Sequence, residues 1–245
     1  MADSDGDDAF GQRLPEAPAF GHAPVAFVPP PGDHARIDAA ARAILAGELG
    51  LFDAEFAAGG VPGPTIRPDP PADAIPHPTL RFLFGYWQGL PRQGDLPAQS
   101  GVDPVGMRPA LGYILLLDVL PSGDDFVYRL YGSGVAGVGG QDWTGWSVAA
   151  MAEKTRSRYG PFYRAIYRAS LLSRQPVYSE HCSPNFLSAR AWQRIVLPLV
   201  DATGAVSRFL VGNVPVGQRV LTREERAELV RRVGPDKILL PTFLL

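Results

Sequence analysis

Two alternating apolar runs, "GYILLLDV" from Gly112 and "DFVYRLYG" from Asp125, are separated only by a turn-rich stretch around Pro121, Ser122 and Gly123. Strands joined by so short a link run antiparallel, because a parallel pair needs a crossover of about a dozen residues or more. That link excludes a purely parallel sheet here. Three more strand-like runs follow: "PVYSEHCS", "AWQRIVLPLV" and "VSRFLVGNVPV". The last two are joined by "DATG", whose Asp201 and Gly204 suit a tight turn. Alternation puts Trp192, Arg194 and Val196 on one face of their strand, and Ile195, Leu197 and Leu199 on the other.

The antiparallel order bears on a motif in "RLYGSGVAGVGG". Gly132, Gly134 and Gly137 spell G-x-G-x-x-G directly after a strand, which is the dinucleotide-binding fingerprint. A site of that kind needs a helix and then a parallel strand ending in an acidic residue. Glycines at 139, 140 and 145 argue against a helix, and "VAAMAEKTRSRYG" lacks strand alternation, so Glu153 has no strand end to occupy. The expectation is a glycine-rich stretch of short helical turns in which small residues permit close backbone approach.

Helical spacing appears in four places. Leu80, Leu83, Phe84 and Trp87 form an apolar stripe in "TLRFLFGYWQGLP". "GPFYRAIYRASLLSRQP" opens on Pro161 and buries Phe162, Ala165, Ile166 and Ala169, leaving Arg164, Arg168, Tyr163 and Tyr167 for a solvated face. "TREERAELVRRVG" carries a capping box from Thr222 to Glu225. In the proline-rich arm, 13 of 25 prolines precede Leu80, and Ile37, Ala41, Ile44 and Leu45 form one helix on a tether with Asp33 as its N-cap. Three divisions follow: a partly disordered arm over 1–78 with a helix near 34–49, a domain over 79–217, and a C-terminal helix with an apolar tail over 218–245.

Composition removes several classes of function. A net charge of −2 gives no footprint for nucleic acid. Apolar runs fall well short of the roughly 20 residues that span a bilayer, and the acidic N-terminus does not read as a secretory signal. One cysteine excludes an internal disulfide framework, so the expected setting is cytoplasmic. His22, His34 and His77 lack metal-site spacing, so no metal is expected. His181 and Cys182 point to opposite faces of a strand and cannot form a dyad. Asp124 and Asp125 read as solvated turn residues. No cofactor is indicated.

The element order, with "LRFLFGYWQGLP", "DDFVYRLYGSGVAGVGGQDWTGWSV" and "RIVLPLVDATGAVSRFLVG", resembles the PAS-like family of small alphaproteobacterial PAS domain-containing proteins, from about Thr79 to Val216. The resemblance implies an α+β fold: a five-stranded antiparallel sheet with helices on one face and a pocket under the long helix. It implies a non-enzymatic sensory or adaptor module that binds a small ligand and signals through protein contact, as a homodimer and with a signalling partner. Leu80, Leu83, Phe84 and Trp87 are the candidate dimer surface. By position, Tyr131, Trp143, Phe162, Ile166, Tyr178, Trp192 and Arg194 are candidates to line the pocket. An arginine beside aromatics suits a carboxylate or phosphate, unless Arg194 pairs with Asp142 or Glu180 at the rim. The alternative is a small isomerase- or cyclase-like enzyme with Asp142 or His181 as base.

Overall fold

The chain folds by pairing neighbouring strands and then covering both faces of the sheet they form. The computed structural model describes residues 32–183, 185 and 187–233. In order they form α1 (Asp33–Leu45), α2 (Asp53–Ala57), β1 (Thr65–Pro68), α3 (Pro78–Gln88), β2 (Arg92–Gln93), β3 (Leu96–Pro97), β4 (Ile114–Val119), β5 (Phe126–Tyr131), α4 (Ser133–Gly139), α5 (Val148–Thr155), α6 (Gly160–Ser173), β6 (Val177–Cys182), β7 (Ala191–Val200), β8 (Val206–Val216) and α7 (Arg223–Val233). The α+β class and the antiparallel sheet agree with the sequence. The N-terminal 31 residues and the apolar C-terminal tail lie outside the described residues.

The main sheet has six strands in the order β1-β6-β7-β8-β4-β5, and every pairing is antiparallel. The five expected strands are all present, and β1 joins them from the arm. Four residues ending in Pro68 give little sequence signal, but a proline is tolerated on an edge strand, where its missing donor faces no partner. Thr65 to Pro68 pair with Glu180 to Val177.

Helices cover both faces of the sheet, where one covered face was expected. Ile195 pairs with Gly212, and a Cβ on Gly212 would lie 2.5 Å from Leu80 and 3.0 Å from Leu83 of α3. The next residue, Arg194, lies under Tyr163 of α6. Adjacent strand residues point to opposite faces, so α3 and α6 sandwich the sheet. This explains why nine consecutive residues of β7 are buried. It also corrects the dimer assignment: Leu80, Leu83, Phe84 and Trp87 are buried in their own domain, and Trp87 Nε1 donates to the Pro198 carbonyl at 2.9 Å.

The arm helix is docked. Phe52 and Phe56, in the segment after α1, pack edge-on against Phe162 of α6 at 5.3 and 5.1 Å between ring centres. Beside them sits a buried ion network. Arg164 donates to the Asp33 carboxylate, and to the Asp124 carbonyl at 2.7 Å and its carboxylate at 3.2 Å; Asp125 Oδ1 stands 3.8 Å from Arg164 Nε. Arg168 reaches Asp38 of α1 at 2.7 Å. Three readings change accordingly. Asp33 is the first helical residue and an ion-pair partner, with Gly32 as the cap. Arg164 is 4% exposed instead of solvated, and Asp124 and Asp125 are buried instead of open turn residues. The partners of Arg164 come from segments far away in sequence, which local spacing does not reveal.

The glycine motif opens a seven-residue helix, α4, which the run of glycines argued against. The sheet beside it is nevertheless antiparallel, so the described residues do not form the parallel dinucleotide-binding fold. A Cβ on Gly132 would stand 2.4 Å from the Gly112 carbonyl oxygen, whereas one on Gly137 would meet nothing within 4 Å. Gly132→Ala therefore forces backbone apart and lowers stability by about 1–3 kcal/mol. Gly137→Ala raises stability by about 0.5–1 kcal/mol through reduced chain entropy in the unfolded state. Urea denaturation of the two variants measures both.

Candidate functional site

Polar side chains on a strand buried on both faces must find partners inside the protein. Those on the α6 face of the sheet gather around a cavity of about 440 Å³, within the range typical of small-molecule sites. Tyr128 and Tyr131 of β5, His181 of β6, Trp192 and Arg194 of β7 and Asn213 of β8 form its floor. Tyr163 of α6, Trp143, Met151 of α5 and Leu229 of α7 close it from above, with Arg156, Arg158 and Arg232 towards the opening. Among the described residues no Asp or Glu lines it.

A bulge lets β5 supply two tyrosines. Strict alternation would put residues 128 and 131 on opposite faces. The register instead runs Leu117 to Tyr128 and Leu116 to Leu130, so Arg129 is an extra residue on β5. Tyr128 and Tyr131 then share the cavity face, with ring centres 5.1 Å apart.

Arg194 sits in the middle. Its side chain is 5% exposed, and its Nε donates to Asn213 Oδ1 at 3.1 Å. The guanidinium lies 4.4 Å from the centre of the Tyr163 ring and 5.8 Å from that of Tyr167. Its Nη1 has no hydrogen-bond partner, and no carboxylate among the described residues pairs with it. The rim-pairing reading is overturned. Asp142 is exposed and accepts from the Thr144 N–H and hydroxyl at 2.8 and 2.7 Å, while Glu180 holds the Tyr178 hydroxyl and Gln193. Exposure also removes Asp142 as an enzymatic base inside the cavity.

His181 is 2% exposed; its Nε2 lies 3.0 Å from the Tyr163 hydroxyl, and its Nδ1 has no partner. Burial, reinforced by the Arg194 charge, holds its pKa well below the ordinary histidine value, so the ring is neutral near pH 7. Burial likewise pushes the Tyr163 phenol up to about 12 and raises those of Tyr128 and Tyr131. These phenols are therefore neutral O–H groups at physiological pH. No His, Cys, Asp and Glu side chains gather as a metal site among the described residues.

Of the seven residues expected at the pocket, Tyr131, Trp143, Trp192 and Arg194 line the cavity. Phe162 faces the arm and Ile166 is fully buried in the core. Tyr178 pairs with Ile195 and so belongs to the α3 face, under the Arg67 guanidinium at 5.7 Å. Tyr128, Tyr163 and Asn213 were missed as pocket residues. Asn213 carried a usable signal, since it is a polar residue inside an apolar strand opposite Arg194. Tyr128 carried none, because the bulge is invisible in the alternation.

An antiparallel sheet with an aromatic and polar cavity beneath a crossing helix defines an α+β domain with an interior cavity. Residues 75–212, more than half of the chain, match the family described as PAS domain, and the chain belongs to that family. It is a family of sensory and signalling modules. No curated protein and no solved structure matches the chain. No helix among the described residues is long and apolar enough to cross a membrane.

The neutral state of His181 gives the fold a pH dependence. Unfolding exposes the ring, which then takes up a proton below its ordinary pKa of about 6.5, whereas the folded state does not. Stability therefore falls as pH drops below about 6.5, by at most about 1.4 kcal/mol per pH unit from this group. His77, whose pKa is also lowered by burial, adds to the slope. Urea denaturation between about pH 5 and 7 should show a shallower slope for His181→Gln than for the unaltered chain.

Proposed function

We propose that the chain is a non-enzymatic sensory module that holds a small molecule in the cavity between α6 and the sheet and reports its presence through protein contact. The observation that carries this reading is the cavity itself, with buried polar atoms of Arg194 and His181 left without partners. Folded domains satisfy nearly all buried polar groups, and of the seven buried side-chain atoms without a partner among the described residues these two belong to the cavity lining, where a ligand can complete them.

The route out of the cavity runs through α7. Leu229 lines the cavity and also packs over Gly140, where an added Cβ would lie 3.3 Å from it. Arg232 Nη1 reaches the Thr155 carbonyl at the end of α5 at 3.3 Å. The exposed side of α7 is charged: Arg231 pairs with Glu228, which also holds Arg232 at the cavity side. A ligand that props or tightens α7 changes the surface offered to a partner protein. The cytoplasm suits a chain with a single cysteine.

Native mass spectrometry of the purified full chain tests the reading, joined to hydrogen exchange on α7. The expected result is one retained small molecule per chain, with α7 exchanging faster after the ligand is stripped. A chain that retains nothing, and whose α7 exchange is unchanged by any bound compound, overturns it.

A further inference from the structure

We propose that the cavity takes an organic monoanion, a carboxylate carried on a flat apolar body, and that the Arg194 guanidinium binds its charged end. The proposal rests on the sensory reading above and names the ligand class of that cavity.

Two buried arginines in one domain make the argument. Arg164 is neutralised by the carboxylates of Asp33 and Asp124, with that of Asp125 close by. Arg194 is equally buried and equally unable to lose its proton, yet its side-chain partners are all neutral: the Asn213 amide, Tyr163 and Tyr167. Aromatic faces compensate a cation only in part, and an isolated buried charge is strongly disfavoured. What is missing beside Nη1 is a negative charge.

The neighbouring groups fit an oxyanion better than a cation or a neutral acceptor-poor molecule. The other orphan at the cavity, His181 Nδ1, belongs to a neutral ring whose Nε2 faces the Tyr163 hydroxyl. When that hydroxyl donates to Nε2, Nδ1 carries the hydrogen and becomes a second buried donor among the residues that line the cavity. The obvious acceptor, Asn213 Oδ1, is already taken by Arg194. One fixed charge on the floor and no acid in the lining balance one negative charge. The indole faces of Trp143 and Trp192 set the shape of the remainder. Arginines towards the opening, Arg156 and Arg158 among them, favour entry of an anion.

The experiment compares acids with their neutral amides on the full chain at low salt: indole-3-acetate with indole-3-acetamide, and benzoate with benzamide. Calorimetric titration and thermal melting are the readouts. We expect an acid to bind about 10- to 100-fold more tightly than its amide, the difference a charge-assisted contact makes. Arg194→Met should abolish that preference and, without ligand, melt higher than the unaltered chain, because it removes a charge with no counter-charge. Equal binding of acid and amide by the unaltered chain overturns the anion assignment, as does an acid preference that survives in Arg194→Met. The first comparison needs no variant, so it decides even if Arg194→Met fails to fold. If the molecule retained by the purified chain is neutral, the anion assignment fails while the sensory reading stands. If nothing is retained and no probe binds, both fail.

Discussion

Arg164 joins three parts of the chain, α1, the β4–β5 turn and α6, through one buried guanidinium. Its guanidinium receives Asp33 from α1, Asp124 from the β4–β5 turn and, at longer range, Asp125 from the same turn. Each is buried, so the charge of one depends on the others: a carboxylate left without the arginine, or the arginine without its acids, would stand uncompensated. Burial alone would raise the pKa of Asp33, but the hydrogen bonds and charges of Arg164 and Arg36 outweigh it and hold the carboxyl below its ordinary value. Asp125 goes the other way, raised by deeper burial while it accepts from the Phe126 and Ala149 N–H groups at 2.9 and 3.1 Å. The network fixes α6 against the sheet and the arm against α6. That placement sets where the cavity lies.

The cavity is the counterpart of this network. It sits on the neighbouring face of the same helix, where Tyr163, the residue before Arg164, stands in place of an acid and meets the second buried arginine. One face of α6 therefore holds a closed, self-neutralised cluster, and the face beside it meets an open set of donors. A domain that can gather acids around one guanidinium and leaves the other bare shows that the bare one is not a general failure of packing. The same reasoning separates site from scaffold among the aromatics. Phe52, Phe56 and Phe162 complete one another's packing, while Tyr128, Tyr131 and Trp192 border free volume.

Much of the fold was legible in local patterns. The β4–β5 turn, the "DATG" turn and the alternation of β7 and β8 dictated antiparallel pairing, and the capping box at α7 forms as read: the Glu225 N–H donates to Thr222 Oγ1 at 3.2 Å and the Thr222 N–H to Glu225 Oε2 at 2.9 Å. Features whose physics is non-local were harder to read. The stripe of α3 marked an apolar face correctly but could not say what covers it, because a buried helix face and a dimer face have the same spacing. The G-x-G-x-x-G motif matched three glycines, yet Gly132 is there because the Gly112 carbonyl lies where its Cβ would be.

The sequence by itself determined five strands of the main sheet, the helices α1, α3, α6 and α7, the antiparallel order and the face of β7 that carries Trp192 and Arg194, because these follow from periodicity and short links. Only the tertiary structure decided that a sixth strand joins from the arm, that helices cover both faces, and that Arg164 is neutralised while Arg194 is not. Those outcomes depend on which distant groups arrive beside a given side chain, and on a one-residue bulge that turns Tyr128 and Tyr131 to the same face. Alternation along a strand records which way a side chain points; it does not record what it will meet there.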